Sequence, residues 1–325
     1  MSKSSYSVII PCKNGKPELV EHLIRSLHEA GQDHELQISL MLTGEIQPIM
    51  DLNLESRFPE LTLYYPKAGS VGDSRNFGLK KSFNEYVLFL DADDYVDQQM
   101  FTELDKATVT KPDLILFGFY KERAGDNLEG QIILPDRNRS LGANICLLDG
   151  GAVCWNKAHR RDTLVQNNLG FDPDLNLAED VEFESRVIPY VKKWTVVEKP
   201  LYHYIVYSTS VSQKYRSDMH EQYLKSMERF EKNIALSEAE KTNVILQNLI
   251  YTLLKHTFHP DNGSYLKQKE EASWLMSQPV YKTALQKRDM LSLSMGKKLI
   301  LLSFQTKFYF PISAASKLYT RRNTK

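Results

Sequence analysis

The sequence predicts an α/β fold followed by a helical C-terminal region, and three observations carry that reading. Segments of strand and helix character alternate through the first half of the chain. Within them, Tyr86-Val87-Leu88-Phe89-Leu90 is an unbroken apolar run, short for a helix and rich in β-formers, which reads as a central strand buried on both faces. From about Ser217 onward the apolar residues recur at helical spacing instead, through Tyr223, Met227, Phe230, Val244, Leu249 and Leu253. Alternating strands and helices imply a largely parallel, right-handed doubly wound sheet. A length of 325 residues suits two domains, 1–215 and 216–325, with the boundary near Ser212 to Ser217.

Taken in order, Tyr6 to Pro11 reads as the first strand. Pro17 then starts a helix with Leu19, Val20, Leu23, Ile24 and Leu27 on one face and Gly31 as its stop. Leu36 to Leu42 reads as a second strand, Glu45 to Phe58 as a helix and Leu61 to Tyr65 as a third strand. The loop Gly69 to Asn76 leads into a helix through Gly78 to Phe83, and the central strand follows. Beyond it come a short helix around Phe101 and Leu104, a strand over Leu114 to Tyr120, a hairpin arm over Gln131 to Pro135 and a helix over Leu141 to Leu148. Trp155-Asn156-Lys157 reads as the approach to another helix, Ala178-Glu179-Asp180 as a helix start, and Trp194 to Val197 and Leu201 to Val206 as two short strands.

The composition, 42% hydrophobic and 25% charged, is that of an ordinary globular protein. Lys plus Arg and Asp plus Glu are 41 each, which gives no argument for nucleic acid as a partner. Cys12, Cys146 and Cys154 are odd in number and lack metal-ligand spacing, which fits buried thiols in a reducing compartment. The polar N-terminus has no signal-peptide pattern, and no run approaches the ~20 apolar residues of a spanning helix, so a cytoplasmic protein is expected.

The central strand ends in Asp91-Ala92-Asp93-Asp94. Ligands of open α/β sheets bind at the C-terminal ends of strands, and two carboxylates one residue apart at a rigid tip are placed to hold a divalent metal such as Mg2+ or Mn2+, leaving positions for phosphate oxygens. The bland alternative is a buried strand followed by a solvated acidic turn.

Four separated segments together resemble the family 2 glycosyltransferases of the GT-A fold over roughly residues 6–215: Ser7 to Pro11 with Asn14, Arg75-Asn76-Phe77-Gly78, Phe89 to Asp94, and Glu179-Asp180 with Phe183. Pro200 to Tyr204 with Ser210-Val211-Ser212 is similar to the closing strand and loop of many bacterial members. The resemblance implies a Rossmann-like mixed sheet with flanking helices, and transfer of a sugar from a nucleotide-diphosphate donor with inversion at the anomeric carbon. It implies Asp93 as the direct metal ligand, Asp91 on the donor or bridging to the metal, and Arg75 on the donor's phosphates or sugar. Asp180 is implied as the general base, Glu179 as its neighbour near the acceptor, and Pro11 as part of the donor site. Asp94 is expected to orient Arg75 or cap the following turn. Trp155, Asn156 and Lys157 are implied in the acceptor pocket, with a buried core Trp as the alternative. His203 is a candidate for the metal shell, with a satisfied structural histidine as the alternative.

The chain departs from its family in places. The acids that often end the second strand, one of which reads uracil, are replaced by Leu42-Thr43-Gly44-Glu45, and Lys13 replaces a frequent aromatic. Thr43, Glu45 or Lys13 then takes the base contacts if the donor is UDP-linked. Ile205 replaces a frequent Arg after Tyr204. Two rivals are a non-catalytic nucleotide-sugar-binding relic and a haloacid-dehalogenase-type phosphatase, whose nucleophile motif is also Asp-x-Asp. The phosphatase usually wants Thr or Val where this chain has Tyr95, and wants its motif near the start of its domain.

No acid follows Asp289, and the tail carries +7, so the rest of this neutral chain carries −7. Leu299 to Phe304 and Phe308 to Ile312 are apolar clusters among these basic residues. A basic, apolar tail suits an anionic membrane surface and a lipid-linked glycan acceptor. The alternative is packing on the preceding helices or a homo-oligomer contact.

Overall fold

The computed structural model describes residues 3–67, 69–124, 130–147, 152–207, 215–232, 236–287 and 293–323. The side chains of Cys146, Arg321 and Arg322, together with Ser210 to Ser212, Asp289 and Lys325, lie outside the described parts. The chain divides into two compact units, Met1–Val206 and Tyr207–Lys325, a division somewhat ahead of the 212–217 region expected.

In the first unit the elements run β1 (Ser5–Lys13), α1 (Pro17–Gly31), β2 (Glu35–Thr43), α2 (Gln47–Met50), β3 (Leu61–Tyr64), α3 (Val71–Lys81), β4 (Tyr86–Phe89) and β5 (Tyr95–Val96). They continue as α4 (Met100–Thr108), β6 (Leu114–Arg123), β7 (Gln131–Ile133), α5 (Leu141–Leu147), β8 (Lys157–Arg160), α6 (Arg161–Gln166), α7 (Glu179–Val187) and β9 (Trp194–Val206). One mixed sheet has the order β3-β2-β1-β4-β8-β6-β9-β5, with β7 paired to β6. The β3-β2-β1-β4 half is parallel, whereas β8 is antiparallel to both β4 and β6.

That antiparallel insertion departs from the doubly wound reading of the alternation and agrees with the mixed sheet that the resemblance implies. Trp155 to Lys157 feeds a strand in mid-sheet rather than a helix. The helix expected over Glu45 to Phe58 is reduced to α2 and a 3-10 turn, because Asn53 adopts a left-handed φ of 49° that no helix continues through. The two strands expected over Trp194 to Val206 are one strand, which slips register against β6 around Gly118.

Alternate residues of β1 and β4 feed two cores, as the strand period requires. Tyr6, Val8, Ile10, Tyr86 and Leu88 point into the larger one, with Val20, Leu23, Ile24 and Leu27 of α1. Ile9, Val87 and Phe89 point into the other, with Leu79 of α3, Leu164 of α6, and Phe183 and Val187 of α7. The second core thus fixes α3 and α7 on the face of the sheet above the end of β4. Gly78 allows the close approach of α3, since a Cβ there would lie 2.4 Å from Ile9 Cγ2.

The second unit is helical: α8 (Met219–Glu231), α9 (Glu238–Thr252) closing in a π-helical turn (Leu253–Thr257), α10 (Tyr265–Ser277), α11 (Pro279–Gln286), α12 (Met295–Gln305) and α13 (Phe310–Asn323). Among the described residues no helix is long and apolar enough to cross a membrane.

Candidate active site

The three parallel strands β2, β1 and β4 end at one edge, which brings Lys13, Thr43 and the Asp91 to Asp94 turn to the same side of the sheet. Pro11 and Lys13 lie in the last turn of β1, opposite Met41 and Thr43. Asn14, at φ 51°, clamps the neighbouring loop: its N–H donates to Thr43 O (3.2 Å) and its Oδ1 accepts from Glu45 N–H (2.7 Å). Glu45 itself is exposed at this edge.

Asp91 accepts a hydrogen bond from Arg75 Nη2 at 2.9 Å, yet its side chain remains 32% exposed. Asp93 has no ion-pair partner within 4.0 Å among the described residues. Its carboxyl is pushed up to about 6, by burial first and by the negative charge of Asp91 second. Two crowded, partly buried carboxylates, one without an ion-pair partner among the described residues, form a hard-oxygen donor set that fits Mg2+ or Mn2+. Asp94 has a different task. It is 2% exposed, accepts from Tyr202 Oη (2.6 Å) and Ile205 N–H (2.7 Å), and is held well above the carboxylate range, chiefly by burial. It ties the acidic turn to β9 and neither orients Arg75 nor caps the turn locally.

Arg75 is bonded to two acids of the chain itself. It is 4% exposed, with Nη1 donating to Glu179 Oε1 and Nη2 to Asp91 Oδ1, each at 2.9 Å, and its guanidinium lies 5.1 Å from the Phe171 ring centroid. Its fork joins the end of β4 to the start of α7. Glu179 and Asp180 open α7, preceded by Ala178 in a left-handed conformation (φ 55°) that turns the chain into the helix. Asp180 Oδ1 accepts the Val181 N–H at 2.8 Å, and its carboxyl is pushed up to about 7 by burial and by Glu179, against the pull of Arg75. A carboxylate poised near neutral pH can take a proton from a hydroxyl at that pH.

Sequence reasoning missed what holds α7 in place. Phe171 stacks on Phe183 (4.1 Å, 16°), and both meet Phe89 edge-on at 5.1 and 5.8 Å. Asn76 grips the same loop, donating to Phe171 O and accepting from Phe171 N–H at 2.7 Å each. The Asn following Arg75 in the motif was the available signal, because an amide can satisfy a backbone donor and acceptor together.

Four expected site residues lie elsewhere. Trp155 is 5% exposed, stacked on Tyr202 (4.9 Å) and Tyr204 (5.2 Å) and edge-on to Phe119, in the core. Asn156 and Lys157 are 2% and 0% exposed, and Lys157 Nζ donates to Asn156 Oδ1 (2.8 Å) and to Val153 O. None of the three presents surface to an acceptor. His203, paired opposite Tyr95 in the sheet, is sandwiched between the Tyr95 and Tyr120 rings, with Nδ1 at 2.7 Å from Glu122 Oε1. It does not join Asp91 and Asp93 in a metal-sized cluster: among the described residues that spacing is met by His220, His256 and Glu271.

Residues 7–164 match the model of Glycosyl transferase family 2. The fold is that of the GT-A glycosyltransferases. The chain aligns with the crystal structure of Staphylococcus aureus TarS 1-349 in complex with UDP-GlcNAc at a TM-score of 0.62 and 20% identity, covering 98% of this chain and 92% of that one. It aligns with the mannosyltransferase PcManGT from Pyrobaculum calidifontis in complex with GDP-Man and Mn2+ at a TM-score of 0.50 and 13% identity, covering 100% of this chain and 88% of that one. Among curated sequences it is 23% identical to the putative glycosyltransferase EpsH of Bacillus subtilis over 77% of either chain. It is also 23% identical to the poly(ribitol-phosphate) beta-N-acetylglucosaminyltransferase TarS of Staphylococcus aureus, over 83% of this chain and 48% of that one. The chain spans 60% of a further relative, EpsJ of Bacillus subtilis.

Proposed function

We propose that this glycosyltransferase is a metal-dependent, inverting enzyme that moves a hexosyl or N-acetylhexosaminyl group from a UDP-linked donor to a hydroxyl of a surface-glycan acceptor. The carrying observation is the Asp91–Arg75–Glu179 bridge, which sets Asp180, with its raised pKa, across from the acidic end of β4. In this reading Asp180 takes the proton of the acceptor hydroxyl as the hydroxyl attacks the anomeric carbon from the face opposite the leaving diphosphate. Arg75 is a positioning residue that holds Asp91 and Glu179 apart at a fixed span. Asp93 and Asp91 would hold a Mn2+ or Mg2+ ion, and such an ion supplies positive charge to a leaving diphosphate. UDP is favoured by the TarS complexes with UDP and UDP-GlcNAc, and Mn2+ by the PcManGT complex. Lys13, Thr43 and Glu45 then face the base at the β1 and β2 edge.

A lipid-linked acceptor at an anionic membrane is the finer part of the proposal. It is supported by α12 and α13, where Leu301, Phe304 and Ile312 are buried while Met295, Leu299, Leu302, Phe308, Phe310 and Leu318 stay exposed among lysines. The test of function is incubation with a panel of nucleotide sugars, with Mn2+ and with chelator. Release of UDP only with metal supports the reading. Binding of nucleotide sugar with no release in any condition, even with acceptor extracts, would instead favour a non-catalytic relic.

A further inference from the structure

In the second unit, three helical segments bring two histidines and a glutamate to one point that the transferase chemistry does not use. His220 lies in the first turn of α8, His256 in the π-helical turn that closes α9, and Glu271 in the middle of α10. Single-turn π-helices are frequent at functional sites, because they redirect a side chain out of the α-helical register. His256 Nδ1 is 2.7 Å and His220 Nδ1 3.4 Å from the same atom, Glu271 Oε1. One ligand atom from each of the three lies within 4.8 Å of the others.

These atoms are close without being satisfied. His256 is 1% exposed, and both its ring nitrogens, His220 Nδ1 and Glu271 Oε1 are buried without a well-directed hydrogen bond. A buried polar atom left in that state is unfavourable, and a cation at the point of convergence would satisfy several at once. The surroundings fix the trio. Asn262 Nδ2 donates to Glu271 Oε2 at 2.5 Å, and Asn262 Oδ1 accepts from Tyr215 Oη at 2.6 Å. The Tyr215 ring stacks on His256 (5.3 Å), and Trp274 meets His220 edge-on (5.2 Å). Such outer partners orient ligands at metal centres.

We propose that His220, His256 and Glu271 form a structural site for a divalent transition metal, and that zinc is the ion it suits best. Two imidazoles and one carboxylate are a zinc donor set, with water as the fourth ligand. Ligands about 2.0–2.1 Å from a tetrahedral ion lie roughly 3.3 Å apart, so His256 and Glu271 open by about half an ångström on binding. The ion would staple α8, the π-helical turn and α10 together within the second unit.

The experiment uses the full chain carrying Asp93→Asn, which removes the transition-metal affinity of the β4 acids from the count. The protein is stripped with chelator, loaded with zinc, desalted and measured by inductively coupled plasma mass spectrometry, with circular dichroism to show that it is folded. About one equivalent of zinc is expected, with cobalt giving the visible absorption of a tetrahedral site and added zinc raising the melting temperature. Glu271→Gln and His220→Gln should each weaken retention by about tenfold or more, and Asn262→Ala by about 10–100-fold. His220 is partly exposed, so its variant keeps the test valid if substitutions at His256 fail to fold. Folded protein that retains neither zinc nor cobalt would overturn the site, as would equal retention by the Glu271→Gln and His220→Gln variants.

Discussion

Asp180 stands between opposing fields: burial and Glu179 push its carboxyl up to about 7, while Arg75 pulls it down. A general base works in its ionised form, so kcat/KM should rise with pH through about 7 and level off above it. A profile that is flat from pH 5 to 9 would contradict a base poised near 7. Asp93→Asn keeps the shape of the acidic turn and removes the charge that would hold a divalent ion, so turnover should fall by orders of magnitude with the melting temperature little changed. If the variant turns over at the wild-type rate, or chelator-treated wild type does, the metal assignment is wrong. At this scale the placement of the acids is legible in sequence, because Asp91 to Asp94 end an apolar run and Glu179 and Asp180 open a helix. Trp155, Lys157 and His203 are not. Whether an aromatic or polar residue in a short segment faces a cleft or the core depends on the placement of β8 and β9 in the sheet, which is set by pairings distant in sequence.

At the scale of elements, the α7 start is held by two devices, the Phe89, Phe171 and Phe183 cluster and the two-bond grip of Asn76 on the Phe171 backbone. Phe89 lies two residues before Asp91 and Phe183 three after Asp180, so the packing of two rings sets the span between the two acids. Asn76→Ala leaves a buried N–H and C=O without their partner, at a cost of about 1–3 kcal/mol. The expected signature is a lower melting temperature and a kcat reduced severalfold, with donor affinity retained. A kcat equal to wild type would show that the grip serves folding alone. The alternating strands and helices of residues 5–89 are legible because each has a period of its own. The helix expected after Glu45 fails where Asn53 turns left-handed, and mid-sheet β8 is hidden because four residues carry too little pattern to mark a strand.

Across the whole molecule, charge is divided as sharply as structure: residues 1–289 carry −7 and the remainder +7. The tail's composition is legible in sequence. Its split between buried Leu301, Phe304 and Ile312 and exposed Leu299, Phe308 and Phe310 is not, because one continuous apolar cluster gives no clue to which face packs. Salt-sensitive flotation with anionic liposomes is expected of the full chain and not of a chain lacking residues 296–325, since each basic residue near such a surface contributes about 1 kcal/mol. If the full chain does not float at low salt, the exposed face serves packing or self-association and the lipid-linked acceptor loses its support. The central claim, that one end of β4 holds the donor while α7 supplies the base, is tested most directly on Asp180→Asn, with donor affinity by calorimetry and sugar transfer by product formation on the same preparation. The account predicts donor affinity close to wild type and transfer reduced by about 10²–10⁴. Equal losses of affinity and transfer, or transfer at the wild-type rate, would contradict it.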